Sequence, residues 1–461
     1  MMEKNRVSKR TSYIALSLVL LLGFMTILGS HDDNGTVYST SSDYGSINYE
    51  PTTCSIEGQN EFVYKVMQDT YLWYDMVSDT DYASYSSPAE LLDDIKYDEL
   101  DQWSYITSIE EYNTYYEEGQ YIGIGYSSKY DTNDDLRIAF VYTNSPADIA
   151  NLQRGDKLIE INGMTIQEIE DDDSWSTIYG EEEIGVEVNL KIEDYNGLVE
   201  DLSLTKDWVT INPVLYYNIL DSDSLKIGYL VLRSFIETAS TELDTVFAYF
   251  KQENIDELIL DLRYNGGGRV SVARDLASLI AGNNAANNQC FLQYIHNDKY
   301  RHWDHERNFT DMQNAINLDR VFVITTSSTC SASEAVINGL KPFIEVILIG
   351  DTTCGKPVGM YGHDFCEKHI SPIEFKGSNA DGEGDYFDGI VPTCSAEDDF
   401  EQSLGDTQED SLEKALYYTA NGFCDANTSL SMSMSMSLHY TRDEEPKKLQ
   451  LEGFRREIGA F

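Results

Sequence analysis

The chain has 461 residues, with 32 Lys and Arg against 80 Asp and Glu, a formal charge of −48. A field of that sign repels nucleic acid and anionic lipid headgroups, which argues against both as partners. The length suits two or three domains around a large core.

Lys4, Arg6, Lys9 and Arg10 precede an apolar run from Tyr13 to Gly29. That pattern predicts a secretory signal or a short membrane anchor over 1–30. Ser30 and His31 stand where a lipoprotein cysteine would follow, so lipidation is not expected. The body of the chain is expected to be exported, to a periplasm or cell envelope or into the medium. Residues 31–53 read as a polar linker. The seven cysteines are Cys54, Cys290, Cys330, Cys354, Cys366, Cys394 and Cys424. Export permits disulfides, and the odd number leaves at least one thiol free or paired with another chain. Cys354 with Cys366, and Cys394 with Cys424, are the expected loop closures. No C-x-x-C spacing occurs, which argues against zinc or thioredoxin chemistry.

Residues 54–118 read as a small helical region. Glu61 to Trp73 has apolar residues at helical spacing, and Pro88 to Ile95 begins a second helix. Trp73, Tyr74 and Trp103 are expected in its core rather than on a stacking surface. Residues 119–207 resemble a PDZ domain in two segments. Tyr121-Ile-Gly123-Ile124-Gly125-Tyr126 matches the carboxylate-binding loop, where successive amides form an anion nest. Leu152-Gln-Arg154-Gly155-Asp156 leads to Ile161-Asn162-Gly163, a strand closed by an N-G hairpin. The resemblance implies that Gly123, Ile124, Gly125 and Tyr126 bind a peptide terminus. A PDZ-like fold that only packs is the plainer reading.

From residue 208 to 424, strands alternate with helices, the pattern of βαβ units. Lys226–Leu232 is a predicted strand, Thr241–Phe250 a helix, Glu257–Leu262 a strand and Arg269–Ala281 a helix. Between the last two lies Asp261-Leu-Arg263-Tyr-Asn265-Gly266-Gly267-Gly268. Glycines between a strand and a helix let bare amides face a negative oxygen. No G-K-[ST] follows, so a nucleotide loop is not expected. His302 and His305 lack a third ligand at metal spacing, so no metal site is expected. Val321–Ile324 then reads as a strand delivering the chain to Ser331-Ala332-Ser333-Glu334, and Val346–Ile349 delivers it to Gly355-Lys356-Pro357. A serine hydroxyl needs a base to become a nucleophile, and a lysine serves only when neutral, which requires burial. S-x-x-E also spells a capping box, with Ser331 as N-cap; the two roles can coexist. Leu412–Thr419 reads as a terminal helix. Residues 425–461, with the Ser/Met alternation of Ser429–Ser437, read as a tail.

Together, S-A-S-E, G-K 25 residues on, and D-L-R-x-N-x-G-G resemble the C-terminal processing (tail-specific) serine peptidases, over about Cys54 to Cys424. The resemblance implies an α/β crotonase-like (ClpP-like) core with Ser331 as nucleophile and Lys356 as general base. It also implies an oxyanion hole from the amides of Gly267 and Ala332, where each donor is typically worth roughly 3 kcal/mol. Gly382–Pro392 is similar to the family's strand before a G-I-x-P turn. Met360 departs from the pattern, because many members carry Gln four residues after the lysine. Met accepts hydrogen bonds weakly, so His363 is a possible auxiliary. The expected protein is an exported serine endopeptidase that recognises free C-termini of protein substrates, with no cofactor or metal, and that touches a membrane only through its N-terminal segment. An inactive adaptor of the same fold, binding peptide tails, is the alternative. An acyl-transfer or hydratase enzyme on the crotonase fold is a further rival, opposed by export and by the PDZ signature.

Overall fold

In the computed structural model the described residues are 45–425, apart from Asn48, 223–224 and 286–288. The expected targeting segment 1–30, most of the linker and the Ser/Met tail lie outside them. The central sheet has six strands in chain order: β1 (Val214–Ser222), β2 (Leu225–Leu232), β3 (Glu257–Asp261), β4 (Arg320–Thr325), β5 (Glu345–Gly350) and β6 (Cys394–Ser395). β1 and β2 form an antiparallel pair, and every later neighbour is parallel. Parallel strands are covered on both faces, so they read as nearly unbroken apolar runs. Alternation then sorts the side chains. Leu230, Leu258, Leu260, Val321, Val323 and Leu348 face one core with α1 (Ala239–Glu253), α2 (Val270–Ala281) and α3 (Ala332–Leu340). Tyr229, Ile259, Phe322, Ile324, Ile347 and Ile349 face the other, against Leu412 and Ala415 of the terminal helix Asp410–Asn421.

A second, four-stranded sheet runs His305–Asn308, Cys290–His296, Ile373–Ser378, Val358–Met360. Tyr294 stacks on Phe375 across it, ring centroids 4.1 Å apart. The N-terminal helices Ile56–Asp69 and Pro88–Ile95 share one core with this end of the chain. Val63, Val66, Met67 and Leu91 pack with Phe365, Ile370 and Ile373, and Trp73 and Trp103 pack at its margin. Strand Tyr105–Ser108 pairs with Lys368–Ser371, and Cys54 is disulfide-bonded to Cys366, 312 residues on.

The PDZ sheet runs Tyr126–Tyr130, Leu136–Val141, Lys157–Ile161, Glu187–Glu193, Val199–Thr205. Its N-G hairpin has positive φ at both Asn162 (49°) and Gly163 (83°), the backbone a type I′ turn needs. The domain docks through Phe140 and Tyr142 onto Ile236, Tyr264 and Phe400. Arg154 reaches across the seam, donating to Asp398 Oδ1 (2.8 Å), Asp399 O (2.9 Å) and Gln402 O (3.0 Å).

Two expectations are corrected. Cys354 pairs with Cys330, not Cys366, while Cys394 pairs with Cys424; Cys290 is a free thiol. Cys366 lies instead beside the N-terminal helices, which pack against the strands flanking it. Gly382–Pro392 is a loop rather than a strand. The Ile390 amide donates to Thr353 Oγ1 (2.7 Å) instead of to a ladder. Gly389 sits at φ +84°, with no room for a Cβ beside Thr353 O, a backbone that strands do not use.

Candidate active site

The chain leaves β4 through Thr326 to Cys330, a loop pinned to the glycine-rich turn after β3. Thr329 Oγ1 donates to Leu262 O (2.8 Å), and the Cys330 amide and Ser333 hydroxyl both donate to Asn265 O (3.0 and 2.9 Å). Ser331 follows at φ 55°, ψ −114°, immediately before α3. That conformation is strained for any residue with a Cβ. At a sharp strand-to-helix turn it lifts a side chain clear of the backbone, the geometry that serine hydrolases use to present a nucleophile.

Lys356 follows β5 by a loop with a similar constraint. Gly355 is at φ +84°, and a Cβ there would lie 2.2 Å from Phe387 O, so only glycine fits. The lysine side chain is buried, 2% exposed, with Nζ 5.6 Å from the Trp103 ring centroid, within cation–π range. Ser331, Ala332, Lys356 and Met360 all line one cleft of about 340 Å³, which lies within the usual size range of ligand sites.

Glu334 joins the two loops. It lies on the first turn of α3 with 0% exposure. One carboxylate oxygen accepts from the amides of Ser331 (2.9 Å) and Lys356 (2.8 Å). The other accepts from the Gly355 amide (2.8 Å) and Thr353 Oγ1 (2.5 Å). Burial raises its pKa from the ordinary 4.5, although the donors from Thr353, Lys356, Gly355 and Ser331 pull the other way. Sequence reading found Glu334 as a cap for Ser331 but missed its second half, the grip on the lysine loop. The Cys330–Cys354 disulfide doubles this link. Cys330 Sγ, Glu334 and Cys354 Sγ form a cluster of metal-binding types, but the two sulfurs are bonded to each other and the carboxylate is occupied by N–H and O–H donors.

Gly267 (φ +113°) lies against the serine: a Cβ there would be 2.8 Å from Ser331 Cβ and 3.1 Å from Ala332 N. Its own amide, however, donates to Asn265 Oδ1 (2.9 Å). Gly268, the next residue, also lines the cleft. Asp261 and Arg263 of the same motif are fully buried, and Arg263 bonds Asp261, Glu409 and Asp398. That cluster holds the base of the glycine turn, a role not read from sequence. His363 is buried elsewhere, with Nε2 2.7 Å from Glu374 Oε1, and is not among the cleft-lining residues. His302 is exposed, and His305 Nδ1 faces Trp303 O at 2.8 Å.

In the PDZ domain, Ile124 O accepts from Ala147 N (2.8 Å) and Gly125 O from Tyr142 N (2.9 Å). Gly125 is at φ +91°, where a Cβ would strike Ser145 at 2.1 Å. Tyr126 opens the outermost strand of the sheet, with its hydroxyl on Tyr179 (2.8 Å). Ser127 and Ser128 of that strand are buried.

This geometry is that of a serine peptidase fold carrying a PDZ domain. Family models agree: residues 226–375 match Peptidase family S41, 58–105 the Peptidase S41 N-terminal domain, and 114–193 the PDZ domain. The segment that carries Ser331 and Lys356 is thus similar to peptidase family S41. It is 26% identical over 227 residues to carboxyl-terminal-processing peptidase 3, chloroplastic, of Arabidopsis thaliana, covering 46% of this chain and 41% of that one. It is 25% identical over 264 residues to the carboxy-terminal processing protease CtpA of Bacillus subtilis (strain 168), covering 57% and 53%. The chain thus spans about half the length of the curated relatives it matches. Among solved structures, a protein described as an S41 protease from Bacteroides fragilis NCTC 9343 superposes with TM-score 0.63 and 25% identity, covering 82% of this chain and 100% of that one. The photosystem II D1 C-terminal processing protease shares the fold at TM-score 0.50 and 17% identity, covering 75% and 94%.

Proposed function

We propose that the protein is an exported serine endopeptidase acting through Ser331 and Lys356. The observation that carries this reading is the strained Ser331 and the buried Lys356 in one cleft, with their loops tied by Glu334. Neutral Lys356 takes the Ser331 proton as Oγ bonds to the peptide carbonyl carbon. The carbonyl oxygen becomes an oxyanion, met by the Ala332 amide at the start of α3. The Gly267 amide is engaged by Asn265, so Gly268 supplies the second donor unless that bond opens. The Lys356 ammonium then protonates the leaving amine as the C–N bond breaks, and water hydrolyses the acyl-enzyme. The three disulfides suit an oxidising compartment, which supports export.

The Gly123–Tyr126 loop is proposed to capture free C-termini, because it precedes a strand with no strand partner on its outer side among the described residues. The test is digestion of an unfolded protein with an apolar C-terminus, wild type against Ser331→Ala. Loss of cleavage with an unchanged fold is the expected result. Equal activity in the variant would sink the assignment and favour the adaptor reading. If amidating the substrate's C-terminus leaves cleavage unchanged, the loop does not capture termini.

A further inference from the structure

We infer that the cleft beside Ser331 selects a substrate carboxylate, held by Arg274 and Arg307; this rests on the peptidase reading above. The chain carries 80 acidic residues against 32 basic ones. Yet the described residues lining this cleft include Arg269, Arg274, Arg307 and Lys356 and no Asp or Glu. Random drawing from this composition would give the opposite sign. The cations arrive from different elements: Arg269 and Arg274 bracket the start of α2, and Arg307 lies on the edge strand of the second sheet.

Their pairing differs. Arg269 faces Glu117 and Glu237 (3.4 and 3.6 Å), both largely exposed. Arg274 gives Nε and Nη2 to a single oxygen of Asp275 (3.1 and 2.8 Å), which leaves further N–H donors of its five. Among the described residues no carboxylate pairs with Arg307. It is half-buried, with its guanidinium carbon 5.7 Å from the Tyr294 ring centroid. A half-buried guanidinium without a counter-charge is completed by an anion, and guanidinium forks fit carboxylates. Val270, Leu292, Ala335 and Phe375 supply apolar wall in the same cleft, suited to the stem of a Glu side chain. The carboxylate has two sources, an Asp or Glu side chain near the scissile bond or the substrate's own C-terminus.

The experiment uses matched fluorogenic peptides with Glu, Gln, Leu or Lys placed in turn at each position around the cleavage site, each with a free or an amidated C-terminus. The expected kcat/KM for Glu exceeds that for Gln by about tenfold or more. Arg307→Gln and Arg274→Gln are each expected to cut that ratio severalfold, and Arg307→Glu to shift it toward Lys. An advantage seen only in the free-terminus arm assigns the carboxylate to the C-terminus. Equal cleavage of Glu, Gln and Leu peptides with either terminus, or arginine variants that weaken all peptides alike, overturns the inference. Should no peptide be cleaved, it is the peptidase reading that fails, and the subsite is judged by calorimetric binding to Ser331→Ala. There, Glu or free-acid peptides must bind more tightly than their Gln or amide counterparts, and adding Arg307→Gln must abolish the difference.

Discussion

Cys330 and Cys354 are bonded to each other, Cα atoms 5.2 Å apart, so the residue before Ser331 is covalently tied to the residue two before Lys356. The bond closes a 25-residue loop that contains α3 and β5. Closing a loop of that size stabilises by about 3 to 4 kcal/mol in the chain-entropy treatment. Its larger consequence is local, because it fixes the approach of two loops that meet at the cleft. Cys330→Ser with Cys354→Ser should lower kcat about tenfold or more with a smaller change in KM, and dithiothreitol should do the same to wild type. Unchanged kcat in the double variant would show that Glu334 alone sets the geometry.

Glu334 gives a pH prediction with opposite signs for activity and stability. Burial raises its pKa, so on acidification it takes up a proton sooner than a free Glu would. A proton then occupies one of the positions to which the four donors point, and the grip on Ser331 and Lys356 slackens. Activity should fall through a limb above pH 4.5, and Glu334→Gln should lower kcat by about ten- to a hundredfold and remove the limb. The stability sign is the reverse. A carboxyl with a raised folded pKa contributes most below its unfolded value and loses that contribution as pH rises through the folded one. Denaturant melts of wild type and variant across pH 4–7 check this.

Lys356→Arg should be inactive while folded, because guanidinium stays protonated and cannot accept the Ser331 proton. Gly267→Ala should also be inactive. Its Cβ would sit 2.8 Å from Ser331 Cβ at φ +113°, and the resulting shift would misplace the serine. Burst kinetics with an active-site acylating reagent separates the cases: both variants should fail to acylate, yet keep the wild-type circular dichroism spectrum.

Arg154→Ala should loosen the PDZ domain from the core. Burial alone would raise the Asp398 pKa, but Arg154 and Arg263 outweigh it and hold it below the ordinary range. A depressed carboxyl stabilises above its unfolded pKa, about 3.9, and that contribution is lost as pH falls through the folded value. Asp398 keeps Arg263 and the Tyr264 hydroxyl after the substitution, so the loss at neutral pH should stay below the roughly 3–5 kcal/mol of a buried charge left with no partner. Urea unfolding of the variant should show that loss, and limited proteolysis should nick the Thr210–Val214 connection first. A melt that matches wild type would mean that the seam is held by Phe140 and Tyr142 instead.

Much of this was legible in the residues. The apolar runs Val321–Ile324 and Val346–Ile349 became β4 and β5, because a β-branched stretch of that length has few alternatives to a buried strand. The N-G pair at 162–163 became a turn because those two residues tolerate positive φ. Pro88 and Ile95 bounded their helix as predicted, with Ser87 accepting from Glu90 N. Family motifs marked Ser331 and Lys356, and these residues line one cleft.

Other features depended on partners that local sequence does not name. The resemblance suggested a strand at Gly382–Pro392, and the chain there is a loop with Gly389 at φ +84°. Cys354 lies closer in sequence to Cys366 than to Cys330, and still bonds Cys330. A disulfide follows the distance between Cβ atoms, and that distance is set by how β4 and β5 lie side by side. The same holds for Glu334, whose sequence spelled only a cap but which also accepts from the Gly355 and Lys356 amides. Periodicity, turn residues and motif spacing act through neighbours along the chain, so the sequence alone determined strands β2 to β5, helices α1 and α2, and the serine and lysine that follow β4 and β5. The grip of Glu334 on the lysine loop and the pairing of Cys330 with Cys354 join residues 22 and 24 apart in sequence, so the tertiary structure alone decided which carboxylate and which thiols tie the site together.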